Sequence, residues 1–188
     1  MHQEVPHEMG ILVKRIDEKT NRMQVLLITR SAESKAFPNA LALPGGFMDA
    51  DDETIADCCA REVKEETGLD AKRLVVVGSW TRKGRDPRGP VHSTVFSVYV
   101  SNENEAIAGD DASSLEWFSV ERVIQTAADT TIELVGSTSG RAFKIVSELR
   151  DAAYGMCNVV VVSGGENFAF DHAEMIASAI LCETMVAR

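Results

Sequence analysis

The amino-acid sequence predicts an α/β protein in which a mixed β-sheet is flanked by helices. Three features carry that expectation. Aliphatic, β-branched runs recur through the first hundred residues, a short acidic helix follows a glycine turn near residue 46, and an amphipathic helix closes the chain. At 188 residues the chain has room for one domain with a full core, so 1–188 is read as a single domain with an unusual segment at about 129–167.

Gly10–Ile16 and Met23–Arg30 read as strands joined by a hairpin turn at Thr20-Asn21. Ser31 to Asn39 reads as a loop, and Leu41-Ala42-Leu43 as a short strand stopped by Pro44-Gly45-Gly46. Thr54 to Thr67 reads as a helix that ends at Gly68, because glycine takes the left-handed C-cap conformation without strain. Ile55, Cys59 and Val63 form its core stripe, while Cys58, Glu62 and Glu66 form a second stripe turned toward a cleft. Leu74–Trp80 and Val91–Val100 are two further strands around the basic loop Thr81–Pro90, whose prolines and glycines fix its shape.

Leu115–Phe118 reads as a short strand leading into a helix from Val120 to about Ala128. The following segment reads as strand (Thr131–Val135), helix (about Arg141–Ala153) and strand (Cys157–Val162). Its aliphatic strands need burial, so it is expected to pack on the domain, as a lid, a dimerisation element or an extra strand pair at the sheet edge. Phe170 to about Val186 reads as an amphipathic helix.

Composition narrows the function classes. A hydrophobic fraction of 45% with 26% charged residues is that of an ordinary globular protein. A net charge of −10 argues against non-specific nucleic-acid binding and against anionic membranes, so an anionic substrate needs local arginines. The longest aliphatic run, Val159–Val162, is too short to span a bilayer, and Met1–Pro6 lacks the pattern of a signal peptide. The four cysteines show no metal-ligand spacing and read as reduced thiols of a cytoplasmic protein.

The chemistry concentrates in the acidic helix. Glu62, Glu65 and Glu66 stand at i, i+3 and i+4 and project from one side, where they repel one another unless a cation sits among them. Hard cations such as Mg²⁺ and Mn²⁺ prefer oxygen ligands and are commonly shared with substrate phosphates. A bland reading exists, in which Arg61–Glu66 is a solvated helix face held by i,i+4 pairing of Arg61 with Glu65. The glycine turn before it and Gly68 after it favour the functional reading.

Those residues carry a family resemblance. Gly46 through Leu69 resembles the Nudix box, and Arg61-Glu62-Val63-Lys64-Glu65-Glu66-Thr67-Gly68-Leu69 fits its second half without exception. Six positions rather than five separate Gly46 from Glu53, an extra residue placed in the loop before the helix. Leu43-Pro44-Gly45-Gly46-Phe47, Arg85-Asp86-Pro87-Arg88-Gly89, Gly109-Asp110-Asp111-Ala112 and Phe170-Asp171-His172-Ala173 further resemble the ADP-ribose pyrophosphatase branch.

The resemblance implies a Nudix-type α/β/α sandwich with a loop–helix–loop catalytic motif. It makes Glu62 and Glu66 metal ligands, with Glu65 assisting and the Gly46 carbonyl (or Gly45) adding a backbone oxygen; Glu62, Glu65 and Glu66 are the catalytic set. Arg61 with Glu53 becomes a structural ion pair tying helix to loop. The general base comes from the box as Glu65 or from a later loop as Asp110, Asp111 or Glu116.

Four residues are candidate substrate contacts. Arg85 and Arg88 sit in the densest basic stretch, and their planar forks suit phosphate oxygens. Arg30 ends a strand facing the glycine turn in the expected fold. Phe37 either stacks on adenine or simply packs. His172 precedes a helix that Asp171 is expected to cap.

The resemblance implies Mg²⁺-dependent hydrolysis (Mn²⁺ as substitute) of a nucleoside diphosphate linked to another group, with ADP-ribose giving AMP and ribose 5-phosphate. The alternatives are a nucleoside triphosphate, dinucleoside polyphosphate or NADH as substrate, or a non-catalytic nucleotide sensor. The intact carboxylates and the lack of a basic C-terminal stretch weigh against the sensor. A homodimer is expected from the family, with no nucleic-acid or membrane partner.

Overall fold

The computed structural model describes residues 5–101, 105–109, 112–150 and 158–186. Ten strands form one mixed sheet: β1 (His7–Ile16), β2 (Met23–Arg30), β3 (Leu41–Ala42), β4 (Gly45–Phe47), β5 (Val75–Trp80), β6 (His92–Tyr99), β7 (Ala112–Gln125), β8 (Thr130–Gly136), β9 (Ala142–Arg150) and β10 (Asn158–Ser163). The main order is β10-β9-β8-β7-β2-β1-β6-β5, with β3 on β2 and β4 on β1. Among the named strands β1 and β6 pair in parallel and the remaining pairs are antiparallel.

Alternation along the central strands divides the interior into two layers. Met9, Ile11 and Val13 of β1, with Leu26 of β2, face α1 (Ile55–Thr67) and meet Cys58, Cys59 and Val63. Leu12, Val25 and Leu27 point the other way, into the cluster that holds Ile176, Ala179 and Ile180 of α2 (His172–Val186). Each fully buried aliphatic side chain stabilises the fold by roughly 1.5–3 kcal/mol. The result is the expected α/β/α sandwich. Lys14 is also buried on the α2 side, where its ammonium pairs with Glu183 and sits 4.2 Å over the Tyr99 ring.

Local signals that the sequence displays openly are realised. The Asp17 carboxylate closes the first hairpin by accepting from the Lys19 and Thr20 amides. Thr54 and Asp57 form a reciprocal capping box at the start of α1, and Gly68 at φ +71° ends it.

Two expected helices are strands. The chain from Val120 does not turn helical but continues β7 to Gln125, with a register shift between Val120 and Arg122. Val120, Val123 and Ile124 match helical spacing, yet the partner β8 alternates buried and half-exposed residues along its whole length and recruits them as a strand. The stretch from Arg141 likewise forms β9, whose Phe143, Ile145 and Ser147 are buried at period two. Residues 129–167 therefore extend the sheet by three strands, and Ile132, Leu134, Phe143, Ile145 and Val159 join the α2-side core.

The closing helix is less amphipathic than expected. It is buried continuously from His172 to Leu181, because the sheet curls so that β5, β9 and β10 all contact it. No helix among the described residues is long and apolar enough to cross a membrane.

Candidate active site

The glycine turn and α1 fit together through positions where a side chain has no room. Gly45 has φ +148°, and a Cβ there would lie 1.9 Å from the Met9 carbonyl oxygen. Its amide donates to Glu66 Oε2 at 2.8 Å. Gly46 pairs with Met9 of β1 and lies against Glu62, where a Cβ would come within 2.4 Å of Oε1. Gly46→Ala is expected to leave the fold intact while pushing Glu62 aside, with a loss of about 10–100-fold in kcat, because misplacement near 1 Å costs that much. Steady-state kinetics beside an unchanged far-UV CD spectrum checks this.

Arg61 organises the carboxylates. It donates to Glu62 Oε1 at 2.9 Å, to Glu65 Oε2 at 3.0 Å and to the Phe47 carbonyl at 3.2 Å. Its tie to the loop is Asp52, at 3.1 Å through Nε and 2.8 Å through Nη2, not the exposed Glu53. This corrects the expected Arg61–Glu53 pair. Five residues separate Gly46 from Asp52, so the extra residue falls after the acidic partner; that spacing was readable in the sequence. Arg61's hydrogen bonds hold the Asp52 pKa down at about 2. Asp52→Ala is therefore expected to lower activity and melting temperature together, whereas Glu53→Ala changes neither measurably in the same two assays.

Glu62 is desolvated, which raises its pKa, while Arg61 opposes that shift. Glu65 is more than half exposed. Among the described residues no three acidic, His or Cys side chains converge on one point, since Arg61 draws Glu62 and Glu65 while Gly45 engages Glu66. The donor set nonetheless suits a hard divalent cation: three carboxylates beside a glycine turn, one of them already stripped of water. Cys58 departs from its expected cleft-facing stripe. It is buried, with Sγ 3.6 Å from the Phe47 carbonyl, and burial pushes its pKa up to about 12.

Opposite the carboxylates runs a cleft of about 490 Å³ whose lining includes Glu8, Arg30, Gly45, Gly46, Glu66 and Arg88. Arg30 donates through Nε to the Ala36 carbonyl, and its pKa is lowered by burial and then by the like charge of Arg88. An anion between the two guanidiniums relieves that repulsion. Phe170 lies beneath both, 5.4 Å from Arg30 and 4.6 Å from Arg88, and Phe37 packs against it at 4.8 Å. Phe37 and Phe170 both have positive φ, +51° and +50°, an uncommon conformation for bulky residues. The sequence reading missed Glu8, which accepts from Arg88 at 2.8 Å and from Ser93 at 3.0 Å. No motif marks it.

Arg85 is not a cleft residue. Its side chain is 1% exposed and makes two 2.7 Å bonds to Asp171 and one of 2.8 Å to Ser93. It joins β6 to the entry of α2, so the expected substrate contact is replaced by a structural ion pair. Asp171 correspondingly uses its carboxylate on Arg85, while its backbone carbonyl accepts from the Glu174 amide. Glu116 is also committed elsewhere, accepting from the Thr138 and Ser139 amides at 2.7 and 2.6 Å. Asp110 and Asp111 lie outside the described residues.

His172 lines the inner end of the cleft beside Glu66 and Arg30. Its Nδ1 accepts from the Leu43 amide at 2.9 Å, which places the proton on Nε2. Burial, helped by Arg85 and Arg30 against Glu8 and Asp171, lowers its pKa to about 4. The folded state therefore binds fewer protons than the unfolded chain between the ordinary histidine value of about 6.5 and pH 4. This contribution to stability is complete above about pH 6.5 and lost as pH falls toward 4, by roughly 2–4 kcal/mol. Urea unfolding across that window should show the slope, and His172→Asn should flatten it.

The comparisons with known proteins agree with this geometry. The NUDIX domain family matches residues 6–135. The chain is 40% identical over 120 residues to a protein named ADP-ribose pyrophosphatase from Methanocaldococcus jannaschii, which covers 64% of this chain and 68% of that one. It is 30% identical over 106 residues to the ADPR responsive transcriptional repressor NtrR of Acinetobacter baylyi, covering 55% of this chain and 41% of that protein. A MutT/nudix family protein from Enterococcus faecalis shares the fold at a TM-score of 0.73 and 29% identity, over 95% of this chain and 62% of that structure. The chain thus spans less than two thirds of the last two. The family match and the archaeal relative, on a fold that sets a glycine turn against a carboxylate helix, define a pyrophosphohydrolase of the Nudix class. The chain belongs to the Nudix family.

Proposed function

We propose that the protein hydrolyses the pyrophosphate bond of ADP-ribose, giving AMP and ribose 5-phosphate, in a reaction dependent on Mg²⁺. The observation that carries this reading is the cleft itself. It sets Glu66 of α1 and the Gly45-Gly46 turn against Arg30 and Arg88, so that cation sites and anion sites face each other. The 40% identity to the archaeal ADP-ribose pyrophosphatase supports the choice of substrate.

In this reading Glu62, Glu65 and Glu66 hold the metal, with a backbone oxygen of the glycine turn. Bound there, the cation neutralises the pyrophosphate and acidifies a water. Arg61 keeps Glu62 and Glu65 from splaying, and Arg30 and Arg88 bind the phosphates and stabilise the leaving charge. Phe37 and Phe170 offer an aromatic surface for the adenine. Glu65 is the most exposed of the three helix carboxylates and the candidate general base. The chain is expected to act as a cytoplasmic homodimer.

Product analysis tests the proposal: purified protein with Mg²⁺, offered ADP-ribose, NADH, diadenosine polyphosphates and nucleoside triphosphates. AMP released chiefly from ADP-ribose supports the reading, and preference for another compound overturns the substrate while keeping the chemistry. The similarity to the ADPR responsive repressor favours a second reading, ADP-ribose sensing. Tight binding of ADP-ribose without turnover in Mg²⁺ selects it.

A further inference from the structure

The strands at the two ends of the sheet, β5 and β10, do not pair with each other, yet both border α2. Between them lies a cavity of about 280 Å³, lined by different residues from the catalytic cleft. Val77 and Trp80 of β5 and Val159 and Val160 of β10 make its walls, and Glu174, Ser178 and Cys182 of α2 its floor. It is far larger than a single water needs, and its wall is mixed: apolar along the valines and Trp80, polar at Ser79, Thr81 and Arg82.

One polar group on that floor lacks what burial normally demands, and a second holds its cationic partner only loosely. Ser178 is 3% exposed, and its hydroxyl has no hydrogen-bond partner. Glu174 lies one helical turn away at i−4. The carboxylate is 12% exposed, and its cationic partner Arg82 stands off at 3.5 Å with a side chain 60% exposed. Burial raises the Glu174 pKa, against Arg82 and a hydrogen bond from the Val161 amide, which lower it. A net charge of −10 adds a field that draws cations to the chain.

We propose that this cavity binds a small organic cation: a primary ammonium carried on a short apolar or aromatic body. The ammonium displaces Arg82 from Glu174 and donates a second hydrogen bond to Ser178 Oγ. The body lies along Val77, Val159 and Val160 and against the indole of Trp80, which also attracts cations. A bare metal ion would find one carboxylate and no further charged oxygen, and an anion would meet Glu174. The catalytic cleft carries both signs, Arg30 and Arg88 with Glu8, Glu33 and Glu66, and shares no lining residue with this cavity, so substitution of Glu174 reports on this cavity alone.

The test uses the full chain and phenethylamine, with 2-phenylethanol as its neutral counterpart, followed by isothermal calorimetry and tryptophan fluorescence. Saturable one-to-one binding of the amine is expected, with the alcohol weaker by about tenfold or more, since charge-assisted bonds are about twice as strong as neutral ones. Glu174→Gln should weaken amine binding about tenfold or more, and Ser178→Ala by a smaller factor. Circular dichroism establishes that each variant is folded; the amine–alcohol comparison on the unaltered protein stands whatever the variants do. The proposal is overturned by absence of saturable amine binding, by equal affinity for the alcohol, or by unchanged binding in folded Glu174→Gln.

Discussion

Glu66→Gln is expected to leave a folded protein whose turnover of ADP-ribose drops by roughly 10²–10³-fold, because a metal's charge stabilisation is worth several kcal/mol. Three positions of this carboxylate distinguish it from its neighbours. It takes the Gly45 amide at 2.8 Å, it lines both the outer and inner parts of the cleft, and it leans on the turn rather than on Arg61. Glutamine keeps the size but loses the charge that would hold a divalent cation in the proposed site. Glu65→Gln should cost less if Glu65 only assists with the metal, since it is 59% exposed and already shared with Arg61. A loss at Glu65 as large as at Glu66 would instead identify it as the general base. The measurement is kcat against metal concentration for both variants: a loss at Glu66 partly recovered by more Mg²⁺ marks a ligand.

Arg85→Ala should be the most destabilising single substitution in the charged network, by about 3–5 kcal/mol. It strips the partner from Asp171, whose carboxylate is 7% exposed and cannot regain water without opening the entry of α2. For a chain of this size the melting temperature should fall by roughly 10 °C or more. Substituting both partners together, as Arg85→Met with Asp171→Leu, removes the stranded charge and should recover much of the loss. Thermal unfolding of the two single variants and the double variant gives the coupling directly. Should Arg85→Ala be stable and impaired only in substrate affinity, the arginine would be a substrate contact after all.

The contrast between these two residues explains which parts of the protein were legible in its sequence. Glu66 belongs to a helix whose start, finish and charged edge are set by residues within fifteen positions: Thr54 and Asp57 at one end, Gly68 at the other. Local chemistry defines such an element, and it can be read locally. Arg85 is defined by Asp171, 86 positions away, and nothing near Arg85 in the chain distinguishes a buried guanidinium from a phosphate-binding one.

The same distinction accounts for the two misread helices. β9 carries Ala142, Lys144 and Glu148, residues at ease in helices, and becomes a strand because β8 and β10 pair with it. The Arg61 pairing is a different kind of miss. Asp52 and Glu53 are adjacent and chemically alike, and the five-residue spacing from Gly46, which singles out Asp52, was there to be read. Arg30 and Arg88 were found as charges, but their shared seat on Phe170 depends on a backbone conformation that phenylalanine seldom adopts.

The way the sheet curls around α2 bears on how the protein is made. Glu8 and Arg30 leave the ribosome early, whereas Phe170, Asp171 and His172 emerge more than a hundred residues later. Until they do, Leu12, Val25 and Leu27 have strands around them but no helix to cover them. The nascent sheet therefore carries an open apolar face through most of its synthesis, a period in which chaperone engagement or aggregation competes with folding. Catalytic competence arrives last, because the cleft is assembled from residues near the start of the chain and residues near α2. A ribosome stalled after Leu69 but before Phe170 should hold a protease-sensitive, inactive intermediate even though the entire box has already been translated.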